Sequence, residues 1–391
     1  LNDSLIVPPA VVTLRLENDV YEFTEPVLMQ HVYGSRIQIL GNEIDPDLVK
    51  LHFTGSHGIE VARTSLRFLN GVTLLGDRTE ANAGTAGKVG IFVHDGARLT
   101  LGTKVVVKNF GGHGLLATRQ SYAQANEVVS EGHGGSGVVA SVGSTVLAND
   151  GRSRQNGGSG FVSDKQSYLE ANRTVSDNNA GHGFHATWNA SLLADAAEAR
   201  HNQNYGFLAE YNSMLMAKTS KALDNVGSGY VALYNAVLYV SDAESSTNGG
   251  IGFMSSLGGT VDVPGGSSNH NGSIGYYAQL GSVLRTHPTA LREPSATDNA
   301  GDGLAADTNS VLWADAVNTS DNHGQGVLAL RNALIYANHG AAKRNTGNGY
   351  YAFGNAYVEA SNTVAEDNAQ AGYLATFGST YAIYNLKTQS W

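Results

Sequence analysis

The residues with the most chemistry to offer recur at near-equal steps: Tyr239, Asp262, Arg285, Trp313, Tyr336 and Glu359. The set mixes ring faces, two carboxylates and a guanidinium. Ring faces cover apolar surface, and charged groups hydrogen-bond hydroxyl edges. A sugar chain presents both, so these six are the candidate carbohydrate-binding residues. Paired carboxylates about 5–9 Å apart could also do acid–base work on a glycosidic bond. That makes Asp262, Glu293, Asp307 and Glu359 candidate catalytic residues, with Glu210 as a further acid. Each reads more readily as a solvated surface residue.

These residues belong to a repeat. Twelve glycines, Gly114, Gly137, Gly160, Gly183, Gly206, Gly229, Gly252, Gly275, Gly303, Gly326, Gly349 and Gly372, are separated by 23 residues, except for one step of 28. A fixed short period marks a solenoid, whose units bury their apolar sides only by stacking. After each glycine comes a large residue (Phe207, Tyr230, Phe253), then a small one two places on (Ala209, Ala232, Ser255). A second alternating run follows, centred on Leu192, Leu215 and Leu238. Spacing of two is strand alternation. Asn and Gly between the runs, as at Asn189, Asn212, Asn235 and Gly281, suit turns with positive φ. A third short segment returns the chain to the next glycine. The expected fold is all-β: a single-stranded parallel β-helix of about 12–14 coils, stacked about 4.8 Å apart.

An asparagine stands four places before each glycine from Asn156 to Asn368. A column of stacked amides can bond along itself and satisfy turn backbone. Repetition on every coil reads as structure and not as a site.

Function must then lie on outward rows. The row between large and small on the first strand includes Leu116, Val139, Leu208, Val231, Met254, Tyr277 and Leu328. So apolar a strip is expected to pack against another subunit or to be covered by the chain itself. The second strand's outward row holds the six residues above. Asp262 and Glu359 fall four coils apart, roughly 19 Å, too far for one site. Asp262 would need Glu293, Asp242 or a neighbouring subunit as partner. The 28-residue step adds a loop near Thr286 to Pro294, carrying His287, Arg292 and Glu293. It is readable as a rim over a groove or as a plain surface insertion.

Residues 1–57 lack the ruler and read as N-terminal capping strands, with the β-helix over 58–391 and its regular coils from about 114. The stretch from Gly76 to Gly87 reads as a polar loop. Tyr381, Tyr384 and Trp391 could cap the far end. The net charge of −10 argues against nucleic acid as a partner. No apolar run could cross a bilayer as a helix, so no membrane insertion is expected. There is no cysteine among 391 residues. The 13 histidines show no metal-ligand spacing, and no nucleotide or cofactor motif is present, so neither metal nor cofactor is expected.

The coils resemble right-handed parallel β-helix proteins of the pectate-lyase-like group. The phrase His31-Val32-Tyr33-Gly34-Ser35-Arg36-Ile37-Gln38-Ile39-Leu40-Gly41-Asn42 followed by Asn-Gly coils is similar to bacteriophage tail fibres and tailspikes. That resemblance implies a homotrimer on a virion tail, or otherwise extracellular, that recognises bacterial surface polysaccharide and in some members depolymerises it. The lyase group's calcium-binding aspartates and catalytic base are not recognisable, so the resemblance assigns no catalytic residue. The alternatives are a monomeric secreted polysaccharide lyase or hydrolase, and a non-catalytic adhesin or rod.

Overall fold

Three-residue strands separated by tight turns leave each coil too short to fold alone, so the chain gains its core only by stacking coil on coil. The computed structural model describes residue 6 and residues 9–79 and 87–383. Most of the stretch from Gly76 to Gly87, and Tyr384 and Trp391, lie outside the described residues. The chain is a right-handed parallel β-solenoid with no α-helix among the described residues. It divides into two compact units, residues 1–197 and 198–391.

In both units every coil contributes one strand to each of three parallel sheets. Sheet I holds the strand after the ruler glycine, such as Tyr230–Ala232; sheet II the next, Val237–Tyr239; sheet III the last, Glu244–Ser246. Register follows the ruler: Phe207 pairs with Tyr230, and Leu215 with Leu238. Counted along sheet II, the two units hold 16 strands, more than the 12–14 coils expected. The surplus comes from the chain before the ruler. Val12–Arg15 pairs in parallel with Ile37–Leu40, and Asp19–Phe23 with Val49–Phe53. Their coils differ in length, so no fixed period betrays them.

Inward columns are closed to water. Phe207, Tyr230, Phe253 and Tyr276 are fully buried. Their rings stack 4.7–5.0 Å apart and within 14° of parallel. Below Ala197, Phe161 and Phe184 do the same at 5.2 Å. The asparagine column is a continuous ladder within the second unit. Asn225 Nδ2 donates to Asn248 Oδ1 at 2.9 Å, Asn248 to Asn271 at 3.0 Å, and so on to Asn368. The link from Asn271 to Asn299 spans 28 residues at 3.1 Å. The five extra residues therefore leave the stack through the turn after Thr286 and do not disturb the register.

One corner departs from what the sequence suggests. Between sheets I and II the Asn or Gly does adopt positive φ, but in most coils so does the residue before it. Trp188 (φ 54) precedes Asn189 (58), and Tyr234 (52) precedes Asn235 (60). Bulky residues rarely take this region, so the expectation stopped one residue short.

Candidate functional site

Alternation on sheet II sends Leu238, Val261, Leu284, Leu312, Ile335 and Val358 inward. It leaves the next residue of each strand facing out. The six predicted binding residues are thereby brought into one row of register partners: Tyr239 with Asp262, Asp262 with Arg285, Arg285 with Trp313, Trp313 with Tyr336, and Tyr336 with Glu359. The row spans about 24 Å at the usual strand spacing. Tyr239 is 41% and Trp313 50% exposed. The Trp313 and Tyr336 rings lie 5.1 Å apart at 48°, and Tyr357 adds an edge contact to Tyr336 at 6.2 Å. These contacts hold a three-ring platform in place before any ligand arrives.

The charges along the row differ in availability. Asp262 and Arg285 are register neighbours, yet among the described residues neither forms an ion pair. Both remain open to a ligand. Glu359 is engaged: its Oε1 accepts from Asn338 Nδ2 at 3.0 Å. Glu170, at the same place in an earlier coil, takes Asn149 Nδ2 at 2.8 Å and the Tyr168 hydroxyl at 3.2 Å. Glu359 thus repeats a structural contact of this turn.

The four candidate catalytic acids do not converge through the register. Asp262 and Glu359 are four strands apart, as the spacing requires. Asp307 is not in the row but at the corner before its strand, nearly buried. Arg331, one coil on, clamps it with two guanidinium hydrogen bonds, and Tyr277 donates to it at 3.4 Å. Burial opposes ionisation of Asp307, but the contacts from Arg331 and Thr308 outweigh it and hold the pKa below the usual carboxylate value. The same neighbourhood, burial first and then the Asp307 charge, pushes the Tyr277 hydroxyl up to about 12. Asp307 is therefore committed to Arg331. Glu293, on the inserted loop, lines a small polar hollow of about 320 Å³ with His339, Lys343 and Arg344. Asp242 accepts from Thr289 of that loop at 2.5 Å, which fastens the loop to the stack.

The apolar row on sheet I is less exposed than its composition suggests. Val231 is completely buried and Val139, Leu208 and Ala305 nearly so. Register partners stand one strand spacing above and below, so large side chains in this row shield one another. Val231 is enclosed in this way by Leu208 and Met254.

Sequence reasoning missed the Asp307–Arg331 clamp, since its partners are 24 residues apart and not one period. It also missed the corner residues Trp188, Tyr234 and Arg331. Their signal was present: a large residue immediately before the turn Asn.

Residues 57–214 match the family model described as a right handed beta helix region, which is less than half of the chain. No curated protein matches the sequence. Among solved structures, the chain is similar to the A-module of the mannuronan C-5 epimerase AlgE4 of Azotobacter vinelandii, at 15% identity and a TM-score of 0.41, over 73% of this chain and 91% of that one. It is similar to a periplasmic alginate epimerase, AlgG, at 12% and 0.42, over 89% and 76%. It is also similar to the catalytic unit of a GH87 α-1,3-glucanase of Streptomyces thermodiastaticus, at 12% and 0.40, over 95% and 62%. None of these scores reaches 0.5, and the likeness says nothing of activity. What stands is the architecture: a right-handed parallel β-helix.

Proposed function

We propose that the chain binds a polysaccharide laid along sheet II of residues 198–391. One observation carries this reading: Tyr239, Asp262, Arg285, Trp313 and Tyr336 occupy successive strands, with the Tyr239 and Trp313 rings exposed, Tyr336 half-buried beside Trp313, and an uncommitted carboxylate and guanidinium. A polymer with a periodic array of ring faces and hydroxyl edges is the ligand such a row complements. The intended partner is a bacterial surface polysaccharide. The chain would act as the receptor-binding part of a phage-type tail fibre, on a virion tail or otherwise outside the cell. The fibre reading carries a homotrimer with it, and a monodisperse monomer by light scattering would remove that part.

Trp313→Ala should weaken binding to a cognate glycan by about tenfold or more, as truncation of a central aromatic anchor does, with the fold intact. Unaltered binding on an array of bacterial capsules and lipopolysaccharides would sink the proposal.

A second reading is a secreted polysaccharide lyase or hydrolase. Asp262 and Arg285 favour it, as an unpaired carboxylate and guanidinium on adjacent strands. A reducing-end and unsaturated-product assay on the same glycans decides between them. Product formation lost in Asp262→Asn would establish catalysis, and no product from any glycan would leave a binder.

A further inference from the structure

A different surface, wholly within residues 1–197, has the makings of a second site. Corners between sheets I and II on successive coils enclose an open groove of about 930 Å³. Its character comes from Arg119, Gln120, Lys165, Gln166, Trp188 and Asn189, all exposed. Each of these six has φ between 50 and 61. The backbone there is fully employed: Gln120 N donates to Val142 O and Gln166 N to Trp188 O, both at 3.0 Å. Such a corner needs only a residue content with positive φ, as Gly143 and Asn189 are. Arg119, Lys165 and Trp188 are ill-suited to that conformation, and their side chains face water. The same two-residue corner recurs with other residues, as at Tyr211, Tyr234, Leu257 and Arg331, so the conformation belongs to the turn, and what sets this groove apart is the choice of two cations, two amides and an indole for it.

The charge balance narrows the ligand. Arg119 and Lys165 face a single carboxylate of the lining, Asp95, in a chain with 24 bases and 34 acids. Asp95 lies 3.0 Å from Arg119 and 3.7 Å from Arg63, so one acid is shared by two guanidiniums. Lys165 lies 3.3 Å from Asp164, yet its side chain stays 63% exposed. The two cations are two coils apart, about 10 Å. The side-chain amides of Gln120 and Gln166 make no hydrogen bond among the described residues.

We propose that this groove binds an acidic polysaccharide. Carboxylate or sulfate groups meet Arg119 and Lys165, the glutamine amides take hydroxyls, and Trp188 covers a ring face. The site is independent of the sheet II row.

The test uses the full chain in titration calorimetry with hyaluronate, dextran sulfate and uncharged dextran. At least one acidic polymer should bind, dextran should not, and affinity should fall as salt screens the charges. R119Q/K165Q should lose about tenfold or more, since each lost contact involves an ionised group. K165N should melt no lower than the parent, because Asn tolerates the corner's φ. W313A should leave acidic-polymer binding unchanged, which separates this site from the sheet II row. Equal binding of dextran and dextran sulfate, undiminished binding by a folded R119Q/K165Q, or failure of both acidic polymers to bind would overturn the proposal.

Discussion

Replacing Asn248 by Ala tests what holds the stack in register. Its Nδ2 lies 3.0 Å from Asn271 Oδ1, 2.9 Å from Ala222 O and 3.0 Å from Ser245 Oγ. Its Oδ1 accepts from Asn225 N at 3.1 Å and from Asn225 Nδ2 at 2.9 Å. Asn225 Nδ2 keeps Ala199 O at 3.0 Å after the change, but the buried Asn225 N–H loses its acceptor. An orphaned buried donor costs about 1–3 kcal/mol, and each further bond lost about 1 kcal/mol. The expected destabilisation is about 4 kcal/mol. Asn235→Ala is the control: that Asn is exposed at φ 60, and only its turn preference is lost, about 1 kcal/mol. Urea unfolding measures both, and hydrogen exchange shows whether protection falls first in the coils around residue 248, as expected where each coil touches only its neighbours. If Asn248→Ala costs no more than Asn235→Ala, the amide column is not what fixes the coils.

Two more perturbations reach other parts of the same reasoning. Leu215→Asp places a carboxylate in a fully buried column and should abolish the cooperative melt of residues 198–391; an unchanged melt would show that the inward row is misassigned. His133 stands one period before Asn156 and does an asparagine's work, its ring Nδ1 accepting from Phe110 N at 3.2 Å while its backbone N–H donates to Asn156 Oδ1 at 3.0 Å. Burial depresses its pKa to about 3, and burial lowers His57 and His113 as well. The unfolded chain therefore binds more protons than the folded one below pH 6.5, so stability falls with acid from there down towards pH 3. Between pH 6.5 and 5, His133 alone should cost up to about 2 kcal/mol. His133→Asn should extend the ladder and remove that share of the acid sensitivity; an identical pH profile by urea unfolding would refute its burial as a neutral ring.

The sequence by itself determined the columns. A period of 23 with alternation in steps of two leaves no freedom over which side chains stack, so Phe207 on Tyr230, the asparagine ladder and the row from Tyr239 to Glu359 follow by counting. What tertiary structure decided lies off the columns. Asp307 finds Arg331 diagonally across a corner, at a separation no period announces. Trp188 and Tyr234 take positive φ because the turn imposes it against their own preference. Val231 is closed off by its row-mates, and His133 replaces an asparagine because its Nδ1 offers the same acceptor to the coil below. The early coils, of unequal length, join the sheets through backbone pairing, which any side chain permits. Translation up the stack is written in the sequence; turn conformation, diagonal contacts and solvent exclusion depend on three-dimensional distances that the repeat does not encode.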